Sequence, residues 1–209
     1  MSLVAAFNWR YAIKKYDTSK NVDPAVLADL METVRLAPSS FGLQPYQFIF
    51  INDRVKLKEI SAAARVQPQI TTGAHVMVLA VETNIDEQTV ARYFDKAAVV
   101  RQTERKDMEQ REQYINEMIS KLDHAQRISW AAKQAYLAIG VFISAAAEAR
   151  IDASPMEGFD NTRIDTILGL REKNLTSVLL FVIGHRSSED GYATIPKVRK
   201  LMEDIFVTI

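Results

Sequence analysis

From Ala135 to Ala147 the chain reads AYLAIGVFISAAA, almost without a polar side chain. A stretch this apolar must be covered. It falls short of the ~20 residues that a bilayer-spanning helix needs, so it predicts a helix buried all round, in a core or between subunits. Asp123 stands where an N-cap belongs, and the helix is expected to run to about Arg150.

Three further apolar runs have the length of strands. Gln47 to Ile51 (QFIFI), His75 to Val81 (HVMVLAV) and Ser177 to Gly184 (SVLLFVIG) are rich in β-branched and aromatic residues. The second is apolar at almost every position, as a strand covered on both faces would be. Between them lie helical patterns. Val4, Ala5, Phe7 and Ala12 suggest a short helix ending near Lys15. Asp23-Pro24 looks like an N-cap with proline at the first helical position, followed by Leu27, Leu30, Met31 and Val34 on one face and stopped by Pro38. Asn52-Asp53 leads into a helix over 54–64, and residues 87–121 read as one highly charged helical region. Strands alternating with helices, without repeats or Pro/Gly linkers, predict one layered domain over residues 1–209.

Lys+Arg and Asp+Glu balance at 26 each, so no net field favours nucleic acid or an anionic membrane. Cysteine is absent, which removes thiolate catalysis and Cys-ligated metal centres. The three histidines are scattered and carry no metal-ligand spacing. The opening MSLVAAFNWRYAIKK lacks the order of a signal peptide, and the expectation is a cytoplasmic protein. The seven glycines form neither a dinucleotide fingerprint nor a P-loop. A bound phosphate would have to be held by side-chain cations.

Two basic clusters offer them: Arg10 to Lys15 at the end of the first helix, and Lys197 to Lys200 just after Pro196. Arginine presents a planar fork to phosphate oxygens and lysine a point charge. For either cluster alone, solvated surface charge is the commoner reason. Two rigid loops accompany them, Ala37 to Tyr46 with Ser39 and Ser40, and Pro155 to Phe159, whose backbone N–H groups are free to face a ligand. The β-prone run Ile205 to Ile209 is placed to add to a sheet in another subunit.

In order along the chain, Arg10 to Asp17 (RYAIKKYD), Ala37 to Phe48 (APSSFGLQPYQF), Trp130 to Leu137 (WAAKQAYL), Pro155 to Asp160 (PMEGFD), Gly184 to Asp190 (GHRSSED) and Ala193 to Arg199 (ATIPKVR) resemble the oxygen-insensitive NAD(P)H nitroreductase family. The resemblance implies an α+β fold, a central mixed sheet flanked by helices, with the C-terminal strand exchanged between the subunits of a homodimer. It implies FMN at the dimer interface, NADH or NADPH as electron donor, and small aromatic acceptors such as nitro compounds or quinones, served by a ping-pong mechanism.

Carried over position by position, the resemblance makes Arg10, Lys197 and Arg199 the phosphate grip and places Lys14 at the pyrimidine edge of the flavin, where it tunes reduction. Tyr11 and Ala12 touch the cofactor through backbone or short side chains. Ser39 and Ser40 approach the flavin of the partner subunit, and Gln134 matches a cofactor-contacting glutamine. Pro155 and Met156 cover the flavin face away from substrate, and Glu157 and Gly158 offer N–H groups toward N5 and O4. Gly42 stands where many relatives carry asparagine. Gln67 and Gln69 fall opposite a family asparagine and lysine, and a lost lysine there would lower the flavin potential. Three other outcomes stay open: a specialised dihydropteridine, flavin or azo reductase of the same fold, a protein that holds FMN without turnover, or a non-enzymatic α/β interaction module.

Overall fold

A computed structural model describes residues 2–209. Four strands form its sheet in the order β1-β2-β4-β3, where β1 is Tyr46–Ile51, β2 His75–Glu82, β3 Asp152–Met156 and β4 Leu175–Gly184. All three pairings are antiparallel. The mixed character implied by the resemblance would therefore need a strand from outside the chain. The central position of β2 explains its unbroken apolar run. Met77, Leu79 and Val81 face one core with Leu30, Ala135, Ile139 and Phe142, while Val76 and Val78 face another with Ile60, Ala63, Ile70 and Ile164.

The helices are α1 Leu3–Trp9, α2 Pro24–Arg35, α3 Arg54–Ala63, α4 Pro68–Thr72, α5 Glu87–Arg101, α6 Glu109–Ser120, α7 His124–Glu148 and α8 Asn161–Leu168. Their starts follow the cap chemistry in the sequence. Asp23 accepts from Ala25 N at 2.7 Å ahead of Pro24, and Asp123 and Gln126 form a reciprocal capping box at the head of α7.

The structure differs from the sequence expectations at several points. The charged region 87–121 is broken at Gln102, which takes the left-handed conformation (φ 54°) and closes α5. The first helix ends at Trp9, not near Lys15, because contacts from the far end of the chain hold residues 10–15 in a non-helical path. Pro155 and Met156 belong to β3 rather than to a loop. That strand lies at the sheet edge, where proline's missing N–H costs no ladder bond.

Within the chain α7 is buried on one face only. Ala131, Gln134, Ala135, Ala138, Ile139, Phe142, Ala146 and Ala147 point inward, whereas Tyr136 (40% exposed) and Leu137 (52%) do not. At 25 residues, with an 18-residue window of mean hydropathy 1.2, α7 is long and apolar enough to cross a membrane by length and composition. The sequence stretch alone had looked too short. Inside the molecule α7 packs on α1, α2 and the sheet.

Residues 205–209 form no strand in the single chain. Ile205, Phe206 and Val207 are 57%, 68% and 77% exposed.

Candidate flavin site

Residues 14–17 run beside residues 185–187, and this brings the two ends of the chain together. Tyr16 bridges Arg186, Asp17 N donates to His185 O at 2.8 Å, and Ser187 N donates to Lys15 O at 3.0 Å. The buried Tyr16 hydroxyl donates to Val182 O at 2.9 Å, fixing this crossing to β4. Asp190 completes it. One of its carboxylate oxygens accepts from the backbone N–H of Lys14 and Lys15, the other from Tyr192 and Ala193. Burial opposes the charge of Asp190, but these four donors more than offset it and hold the carboxyl below its ordinary range.

Arg10, Lys197 and Arg199 thereby line one cavity of about 500 Å³, with Leu3, Val4, Phe7 and Asn8 as its remaining wall. The cations disfavour one another there. Arg10 is pushed below the ordinary arginine value by burial first and then by Arg199. Lys197 is lowered by burial, then by Arg10, Arg199 and Arg186. Such a cluster, with Arg10 and Lys197 partly buried and Arg199 exposed, relaxes when an anion enters. Lys197 Nζ meanwhile donates to Phe7 O (2.5 Å) and Asn8 O (2.7 Å), carbonyls at the end of α1. Tyr11 donates its hydroxyl to Ile195 O at 2.8 Å, and neither it nor Ala12 lines the cavity. Among the described residues Lys14 Nζ has no hydrogen-bond or ion-pair partner.

Behind this cavity lies an ion pair the sequence analysis did not single out. Arg186 grips the buried Asp152 through Nη2 (2.6 Å) and Nε (3.0 Å), stacks on Trp9 at 4.2 Å, and donates to Trp9 O. The one available signal was an acid entering the apolar run RIDASPM. It became legible only through register, which sets Asp152 opposite Gly184, two residues before Arg186.

A second group gathers on the N-terminal half of α7. Gln134, 5% exposed, accepts from Ser40 N at 2.8 Å and donates to Trp130 O at 3.0 Å. Ser39 Oγ accepts from Gln44 N at 3.1 Å. Phe41 (φ 59°) and Gly42 (φ 77°) are both left-handed, which forces the sharp turn of this loop; a Cβ on Gly42 would meet Tyr93 at 3.0 Å. Among the described residues, none of Ser39, Ser40, Gly42 and Gln134 lines the Arg10 cavity. Gln134 thus groups with the serine loop.

The third group follows β3. Among the described residues the N–H groups of Glu157 and Gly158 have no acceptor. Gly158 O accepts from Gln67 Nε2 at 3.2 Å, and Gln67 Oε1 accepts from Gln69 Nε2 at 2.9 Å. Gln69 is 1% exposed, and its own Oε1 is buried with no partner among the described residues. In this arrangement Gln67 faces outward and Gln69 stands behind it. Pro155 is half-buried and Met156 buried at the foot of this loop.

Clustered cations beside an apolar wall, and two peptide donors without an acceptor among the described residues, are groups that suit a phosphate-bearing, ring-shaped ligand. Residues 8–185 match the Nitroreductase family, and the chain belongs to that family. It is 32% identical to the major NAD(P)H-flavin oxidoreductase of Aliivibrio fischeri, over 96% of this chain and 95% of that one. It is 28% identical to the oxygen-insensitive NAD(P)H nitroreductase of Enterobacter cloacae, over 95% of each. The crystal structure of an Exiguobacterium sibiricum protein in complex with FMN superposes with a TM-score of 0.83 at 20% identity, covering 100% of this chain and 98% of that one. At that identity the likeness establishes the fold.

Proposed function

We propose that the chain is an FMN-dependent oxidoreductase, working as a cytoplasmic homodimer of single-domain subunits. It passes electron pairs from NADH or NADPH to nitroaromatics, quinones or similar small acceptors. The observation that carries this reading is the meeting of Arg10, Lys197 and Arg199 around one cavity. Three clustered cations, among them Arg10 and Lys197 with lowered proton affinity, fit a phosphate monoester, and the two unsatisfied N–H groups at Glu157 and Gly158 fit the polar edge of a flavin ring.

When bound, FMN would supply the two-electron, ping-pong hydride chemistry between nicotinamide and acceptor that no side chain here provides. The protein binds and orients. Arg10, Lys197 and Arg199 hold the phosphate, and Lys14, with its free ammonium, favours negative charge at the pyrimidine edge. Pro155 and Met156 back the ring, while Ala12, Tyr11 and Gln67 border it. Ser39, Ser40, Gly42 and Gln134 reach it from the partner subunit. Gln69 acts through Gln67.

Dimerisation follows from what one chain leaves bare. Tyr136 and Leu137 on α7, the free edge of β1 and the apolar run at 205–209 each need a cover. A second copy, lending its C-terminal strand, covers all three and makes the sheet mixed.

The purified protein should be yellow, and its visible band should bleach anaerobically on adding NADH or NADPH. A colourless protein overturns the reading. A yellow protein that neither nucleotide bleaches is a flavin-binding protein without turnover. Stopped-flow reoxidation by nitro compounds, quinones, dihydropteridines, free flavins and azo dyes separates the general reductase from its specialised relatives.

A further inference from the structure

An exposed carboxylate at a loop tip ordinarily ends in water. Glu157, the first residue after β3, instead accepts a hydrogen bond from the hydroxyl of Tyr136 on α7, Oη to Oε1 at 2.5 Å, across 21 residues of chain. The next residue is held from the other side. Gly158 O accepts from Gln67, and Gln67 is braced by the buried Gln69. Phe159 N closes a tight turn onto Glu157 O at 2.9 Å, and Asp160 N is tied to Ala63 O at 3.1 Å. Both sides of this segment are thus tied down, while among the described residues the N–H groups of Glu157 and Gly158 have no acceptor.

We propose that Tyr136 is a positioning residue that acts through the Glu157 side chain, clamping the 157–158 segment so that its two free N–H groups stay aimed at the flavin. This rests on the flavin reading above. Donors fixed before the reaction cost no reorganisation when charge develops on the ligand they face, so their value depends on being held still. A side chain free in water would not hold them. The clamp is supported by the state of the phenol itself: burial first, and then the hydrogen bond and charge of Glu157, push Tyr136 up to about 12. The position of Tyr136 on α7 also makes the loop sensitive to whatever covers that helix face.

The test uses the flavin-loaded protein with the Tyr136→Phe, Glu157→Ala and Glu157→Gln variants and the Tyr136→Phe/Glu157→Ala double variant. Removing one preorganised donor from a hydrolase oxyanion hole costs roughly 100-fold or more, so loosening a donor pair is expected to slow anaerobic flavin reduction by roughly tenfold. The midpoint potential of the bound flavin should fall with it. Glu157→Gln, which keeps an acceptor for the phenol, should recover part of what Glu157→Ala loses. The double variant should be no slower than either single one. In flavin-free protein, NMR titration of Tyr136 should show the phenol near 12, moving back toward 10 in Glu157→Ala. A parent without flavin overturns the flavin reading and this proposal together. A yellow parent whose Tyr136→Phe variant is reduced at the parental rate and potential overturns the clamp alone. If Tyr136→Phe fails to fold, an unmoved Tyr136 titration in Glu157→Ala overturns it.

Discussion

Oδ2 of Asp190 lies 2.6 Å from the backbone nitrogen of Lys14, joining positions 176 residues apart. With Lys15 N at 2.8 Å on the same oxygen, this carboxylate ties the segment carrying Arg10 to the segment carrying Lys197 and Arg199. Asp190→Ala leaves partly buried N–H groups unsatisfied, at a cost of ~1–3 kcal/mol. For a chain of this size that lowers Tm by roughly 2–4 °C per kcal/mol. Flavin retention should fall in parallel, although Asp190 touches no cofactor. Calorimetry and the ratio of flavin to protein absorbance measure the two effects.

The same group sets a pH response. Its folded pKa is depressed, so the stability it confers is fully present above the unfolded value of about 3.9 and is lost as pH falls through the lower folded value. Melting curves taken at successively lower pH, starting well above the unfolded carboxyl value, should show the parent losing Tm faster than Asp190→Ala at the acid end. Parallel curves would show that Asp190 contributes nothing through its charge.

Arg10→Ala and Lys197→Ala should each weaken FMN binding about tenfold or more, the scale of one charge-assisted hydrogen bond (~1.5–3 kcal/mol). Fluorescence titration of flavin-free protein checks this. The salt dependence of binding should also become shallower with each cation removed. If both variants bind as tightly as the parent, the cavity at Arg10 is not the phosphate site.

Leu137, 52% exposed on α7, should be covered in the dimer. A charge there would be desolvated without a partner, so Leu137→Glu should yield a monomer by analytical ultracentrifugation. That monomer should also lose flavin, because Ser39, Ser40 and Gln134 then come from no neighbour. A dimer that survives the substitution places the interface elsewhere.

Asp152→Ala should cost ~3–5 kcal/mol, because it leaves Arg186 partly buried without its counter-charge. Replacing both partners, Asp152→Ala with Arg186→Met, should cost less than the single change. Chemical denaturation of the two variants decides it. A double variant as unstable as the single one would show that the loss is packing rather than charge.

Much of the scaffold was legible because its causes are local. Asp23-Pro24 and Asp123 cap the helices they were expected to cap, and the apolar runs at 47–51, 75–81 and 177–184 became strands, because side-chain periodicity and cap chemistry act within a few residues. The end of α1 was not legible. Its last carbonyls are taken by Lys197 and the following N–H groups by Asp190, groups that no local window contains. Pro155 read as a loop residue for the same reason, since only its place at the sheet edge makes a strand affordable there.

The sequence by itself determined which residues carry charge, which stretches must be buried and which family pattern they spell, since these follow from side-chain chemistry and order. Tertiary structure alone decided that Arg10 and Lys197 share a cavity, that Gln134 stands with the serine loop, that Gln69 lies behind Gln67 and that Tyr136 holds Glu157. Each is a long-range meeting, fixed when burial of the sheet sets the register of its strands, and register is a property of the packed molecule.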